Sequence, residues 1–177
     1  MNQFAAHLSL EDLHRLTEAS VARFEALVID LVDADVVFVP DDPDAQDVYA
    51  ADPADQQLPW TLGHVIAHTT ASAEEYAAVA TELARGVSFH GRPRSEVPWQ
   101  TMTTVAHVRH RLIESRRIRL SSLGLWPDTP HLDIGYVPWE ETDWVNAKGI
   151  FTWGLAHDDD HWRQVQKIIQ QIKMSCM

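Results

Sequence analysis

The chain has 177 residues, a formal charge of -12, ten His, seven Trp and a single Cys, a size that suits one domain over 1–177 with a real core. The negative charge excludes the clustered Lys and Arg that nucleic acid binding needs. No apolar run approaches the length of a membrane span, and the start MNQFAAHLSLED lacks a basic region followed by an apolar stretch, so a cytoplasmic protein with neither nucleic acid nor membrane as partner is expected. Cys176 stands alone beside the C-terminus, which rules out an intramolecular disulfide and a Cys-based zinc site.

Ser9 followed by Asp12 gives an N-terminal capping pattern, and Leu13, Leu16, Ser20, Phe24, Leu27 and Leu31 recur at helical spacing, predicting a first helix from about 9 to 33. Four prolines and Asp35, Asp41, Asp42, Asp44, Asp47, Asp52 and Asp55 follow before Trp60. This is a long acidic loop; it lacks the Gly and closing Glu of a calcium-binding EF-hand loop and reads as solvated. Leu62, Val65, Thr69, Ser72, Tyr76, Val79 and Leu83 then form a stripe over a second helix, 61–85, stopped by Gly86.

A third helix fits about 103 to 123, with Val105, Leu112, Leu120 and Leu123 on one stripe and Gly124 at its end. Arg109 and Arg116 fall on that same stripe. They either snorkel and pair with acids of a neighbouring helix or line a cavity for an anionic ligand. The stretch 125–148 carries Trp126, Trp139 and Trp144 among prolines and acids and reads as a long loop over one end of the molecule, suited to a lid or to a homodimer interface. A last helix, about 150 to 173, places Trp153, Val165, Ile168 and Ile172 on one stripe. The expected fold is all-α, a four-helix bundle with long loops between helices 1 and 2 and between helices 3 and 4.

Residues four apart on a helix present two imidazoles to one ion. The spacing occurs twice, in His64-Val-Ile-Ala-His68 and His157-Asp-Asp-Asp-His161. With ten His such spacings also arise by chance, so direction decides. Steps of four run from Trp153 through His157 and His161 to Val165, which turns both imidazoles inward while Asp158, Asp159 and Asp160 project toward solvent or the helix flanks. Inward imidazoles need a partner for each nitrogen, and a shared metal supplies one apiece. At about 100° per residue, His68 lies roughly 60° and His64 roughly 100° from the centre of the second helix's stripe. That ranks His68 above His64 as a third ligand.

The segment Trp60-Thr61-Leu62-Gly63-His64-Val65-Ile66-Ala67-His68, together with Leu155-Ala156-His157-Asp158-Asp159-Asp160-His161, resembles the DinB-like superfamily of metal-binding four-helix bundles. In that family a Trp opens the second helix eight residues before a ligand His, and an HxxxH in the last helix completes the set. The resemblance thus implies His68, His157 and His161 as ligands of a divalent transition metal, with Zn or Ni favoured. Family members with known activities include bacillithiol transferases and mycothiol-dependent maleylpyruvate isomerases, and His157 matches the transferase branch where the isomerases tend to carry Glu. Asp160 stands where the family often has a second His, Thr69 and Thr70 replace an apolar residue and Ala, and the Trp-rich insert is longer than a minimal member needs.

The implied partners are a low-molecular-weight thiol and a small electrophile held beneath the Trp126, Trp139 and Trp144 loop. Three protein ligands leave a metal position open for catalysis. His64 and Asp160 are candidates to orient a ligand or move a proton, and Arg109 and Arg116 to hold carboxylates of the thiol. Two other functions fit the same ligands, metal-dependent hydrolysis and a non-catalytic metal-binding bundle that works through protein partners.

Overall fold

The computed structural model describes residues 1–47 and 53–175; Asp52 of the acidic loop and Cys176 lie outside them. Among the described residues four long helices build the molecule: α2 (Leu10–Leu27), α4 (Leu62–Ala84), α5 (Val105–Leu123) and α6 (Ala147–Ser175). Two single-turn helices, α1 (Asn2–Ala5) and α3 (Asp33–Val36), flank α2. The fold is the all-α bundle expected, with one addition. Within the Trp-rich insert β1 (Gly135–Tyr136) and β2 (Val145–Asn146) pair antiparallel, Gly135 opposite Asn146 and Tyr136 opposite Val145.

The helix starts follow from capping. Ser9 Oγ accepts from the Asp12 amide at 3.0 Å while Asp12 Oδ2 accepts from the Ser9 amide at 3.0 Å, so two donors without an intrahelical partner are satisfied reciprocally at the head of α2. Thr61 and Thr104 do the same for one amide each, of His64 and of His107. Gly86 ends the second long helix with φ +88°, a left-handed geometry that only Gly adopts without strain. α2 is shorter than its periodicity suggests, capped at Val28, and the chain restarts as α3 after a break.

The stripe predicted on α4 is too narrow. Nineteen of its residues are buried, because α6, α5, the short 3₁₀ turn Trp99–Thr101 and β2 all pack on it. A helix buried on every side is the bundle's centre. The stripe predicted on α5 is also misplaced. Val105, Val108, Leu112, Ser115, Arg119 and Leu123 face inward, so Arg109 and Arg116 lie one step off the buried seam and Arg119 lies on it.

The core divides into two apolar halves. One gathers Phe24, Leu62, Ile66, Met102, Leu112, Val165 and Ile168, the other Leu13, Val79, Leu83, Leu123, Ile150 and Phe151. Between them each long helix contributes polar residues that are buried or nearly so: Thr17 and Ser20 from α2, His68, Thr69, Ser72 and Glu75 from α4, Ser115 and Arg119 from α5, and His157, Asp158 and His161 from α6. A polar waist of this kind is unfavourable unless its members satisfy one another.

Candidate metal centre

His68, His157 and His161 meet in that waist, one ligand atom of each lying within 4.8 Å of the others. Nε2 of His157 sits 3.3 Å from Nε2 of His68 and 3.2 Å from Nε2 of His161. An ion about 2.0–2.1 Å from each nitrogen in tetrahedral geometry spaces its ligands about 3.3 Å apart, so the donor set fits one divalent ion. Among the described residues no carboxylate or thiol joins the cluster. Three imidazoles suit zinc, nickel, copper or iron.

Burial keeps the three rings neutral, as ligation requires. It lowers His68 to about 2 and His157 to about 3, with the neighbouring His rings adding to the effect, and it lowers His161 as well. Their second nitrogens have different fates. His161 Nδ1 donates to Gln164 Oε1 at 2.7 Å, which leaves Nε2 as a lone pair aimed at the cluster. His157 Nδ1 is buried with no hydrogen-bond partner among the described residues. His68 Nδ1 accepts from Arg94 at 3.4 Å. An imidazole that offers Nε2 to an ion carries its hydrogen on Nδ1, so holding an ion and accepting from Arg94 are alternatives for His68. Arg94 keeps Ser72 at 3.1 Å and Glu96 at 2.5 Å as partners either way.

Arg94 belongs to the connection between α4 and α5, a segment the sequence reading did not single out. Arg92 clamps that connection to α4 through Glu75, at 2.5 Å, and Arg94 approaches the same carboxylate at 3.6 Å. Glu75 is 3% exposed, so the two guanidiniums supply the charge compensation its burial demands. The Arg92-Pro93-Arg94 run next to an α4 carrying Glu75 was the available signal.

The aromatic walls also differ from expectation. Trp60 stacks on His64 at 4.4 Å and on His161 at 5.9 Å and tilts over His68 at 4.7 Å, while Tyr76 meets His157 edge-on at 6.1 Å. Among the described residues no ring contact joins Trp126, Trp139 or Trp144 to the triad. Trp126 is buried against Phe151, Trp139 leans on Trp153 at 5.1 Å, and Trp144 borders Gly135. The insert packs on the apolar half that contains Phe151 and Tyr76.

Of the other candidates, His64 is nearest. It is buried between Trp60 and Trp99, the latter at 4.5 Å and 7°, and burial lowers it to about 4 against the pull of Asp47. A neutral ring inside an indole sandwich ties the Trp99–Thr101 turn to α4 and is not a ligand. Asp160 is 76% exposed and faces Arg163. Arg109 donates to the Ile29 carbonyl at 2.8 Å and Arg116 pairs with Glu25 at 3.1 Å, both on the flank facing α2. Neither arginine has a contact with the triad, and Asp160 acts on His161 only through its charge. Asp158, expected outside, is inside: it pairs with Arg119 at 2.8 Å, because α6 packs against both α2 and α4 and Arg119 reaches it from α5.

Three imidazoles converging in the middle of a helical bundle define a four-helix protein whose donor set could hold a divalent metal. A family model described as the DinB superfamily matches residues 10–165, and the chain belongs to that superfamily. No curated protein and no solved structure matches it. No described helix is long and apolar enough to cross a membrane.

Proposed function

We propose that this protein is a metal-dependent transferase that joins a low-molecular-weight thiol to a small electrophile. The observation that carries the proposal is the convergence of three neutral Nε2 atoms with no fourth protein ligand among the described residues. His68, His157 and His161 would hold the ion. Bound there, a divalent ion supplies a Lewis acid with an open position and lowers the pKa of a thiol that approaches it.

The chain's own residues do the rest. Gln164 fixes the His161 tautomer. Trp60 covers one side of the triad and keeps water from it, which strengthens electrostatic interactions inside. Arg94 places a guanidinium beside His68, where positive charge favours the anionic form of a thiol or the carboxylate of a thiol cosubstrate. Hydrolysis would call for a free base beside the ion, whereas Glu75, Glu96 and Asp158 are each held by an arginine. A thiol made acidic by the ion would lose its proton to solvent water and needs no such base.

Elemental analysis of untagged protein comes first. Wild type should carry about one transition metal per chain and His157→Ala much less; equal contents would remove the site. Metal-loaded protein is then assayed with a panel of small thiols against chlorodinitrobenzene and monobromobimane. Turnover above background with at least one thiol supports the transferase, and stoichiometric metal without turnover for any thiol supports a non-catalytic bundle.

A further inference from the structure

The carboxylate of Asp158 is the point at which all four long helices meet. Arg119 of α5 approaches its Oδ2 at 2.8 Å, Ser20 of α2 donates to the same oxygen at 2.7 Å, and Thr69 of α4 donates to Oδ1 at 3.3 Å. The side chains of Asp158 and Arg119 are 3% and 4% exposed. Two of the four partners are chain neighbours of the histidines: Thr69 follows His68, and Asp158 follows His157. Whatever fixes the rotation of α4 and α6 at these residues also fixes where the two imidazoles point.

Stability alone does not account for the arrangement. A buried ion pair is costly to desolvate, and apolar side chains of similar volume commonly replace one with no loss. What apolar packing does not supply is direction. A carboxylate bonded along three different lines admits one rotation of α6 against its neighbours, whereas close-packed methyl groups tolerate small slips. The tolerance at the triad is narrow. With Nε2 roughly 6 Å from the helix axis, a 10° rotation of α6 displaces it by about 1 Å, about twice what a binding constellation accepts.

We propose that Arg119 and Asp158 are positioning residues for the metal centre, holding α6 in the rotation that brings His157 and His161 to His68. The inference rests on the triad's being a metal site, as proposed above. A second, half-buried pair serves as its control. Arg111 and Glu74 also join α5 to α4, but Glu74 is no chain neighbour of a histidine of the triad, so its loss should lower stability and leave the centre unchanged.

The test is a Co²⁺ titration followed by visible absorption, with affinity from chelator competition and folding from circular dichroism and thermal melts. Wild type should give the intense visible band of four-coordinate Co²⁺. The double variant Arg119→Met with Asp158→Leu, which removes both charges, should fold yet bind Co²⁺ at least tenfold more weakly with an altered band. Asp158→Asn, which keeps the volume, should shift the band in the same direction and fold if the double variant does not. Arg119→Lys should recover part of the affinity, and Arg111→Met should keep the wild-type band. Affinity within twofold of wild type and an unchanged band in either folded Asp158 variant would overturn the positioning role. Absence of a Co²⁺ band in wild type would instead remove the metal site and, with it, this inference.

Discussion

Gly63 is the position at which a single methyl group should disturb the wall of the centre without touching a ligand. It lies in the first turn of α4, where a Cβ would come 2.2 Å from the Met102 carbonyl oxygen and 3.1 Å from the Met102 Cβ. Ordinary contact begins near 3.4 Å, so the backbone at Met102 has to retreat by about 1 Å. Overpacking against backbone costs about 1–3 kcal/mol, and the better helix propensity of Ala returns at most about 1 kcal/mol. Gly63→Ala should therefore destabilise by about 1–2 kcal/mol, a fall in Tm of about 3–6 °C for a chain of this length. Met102 closes the Trp99–Thr101 turn through a 2.9 Å bond to the Trp99 carbonyl, so its retreat also loosens the ring stacked on His64. The assay is urea and thermal denaturation beside Gly124→Ala, whose φ of -64° and nearest contact of 3.3 Å predict a change within about 0.5 kcal/mol. A Gly63→Ala protein as stable as wild type would show that the turn does not press on α4 as described.

Three other outcomes are expected. Zn²⁺ at a hundredfold excess over its dissociation constant should stabilise wild type by about 2.7 kcal/mol, or about 5–10 °C in Tm; calorimetry should find this shift largely absent in His68→Ala and retained in His64→Phe. Ion-free protein should lose stability as pH falls below about 6.5, since the unfolded histidines then take protons that folded His68 and His157, lowered to about 2 and 3 by burial, refuse. Each contributes at most about 1.4 kcal/mol per pH unit, so urea melts at pH 7.5, 6 and 5 should show a shallower loss for His157→Phe than for wild type, and identical slopes would contradict the assigned burial. Trp60, within 5.9 Å of three of the imidazoles, should account for most of the fluorescence quenched by Cu²⁺, so Trp60→Phe should lose that response while the other tryptophans keep their emission.

Local chemistry was legible along the chain. The Ser9 and Asp12 capping box, the Gly86 stop and the heavy apolar spacing announced four helices, since capping and periodicity involve only residues within a turn or two of each other. The inward pair His157 and His161 followed from the same arithmetic, and His68 needed the family resemblance besides. Periodicity failed where a helix is covered on several sides. α4 has no solvent face to define a stripe, and α5 carries so many charged residues that a stripe through Arg109 and Arg116 looked as good as the true one through Ser115 and Arg119.

What tertiary structure alone decided is therefore the surroundings of the histidines. Arg94 comes to His68 from 26 residues away and Trp60 to His161 across 101 positions, while Asp158 is drawn inside by partners on three other helices. No local pattern encodes such contacts, because each depends on the angle at which separate helices pack. The sequence by itself determined that this chain forms a helical bundle with imidazoles turned inward. Packing decided that three of them converge and that their second nitrogens meet three different fates. It also put a buried carboxylate beside them, where a helical pattern read one element at a time places it outside.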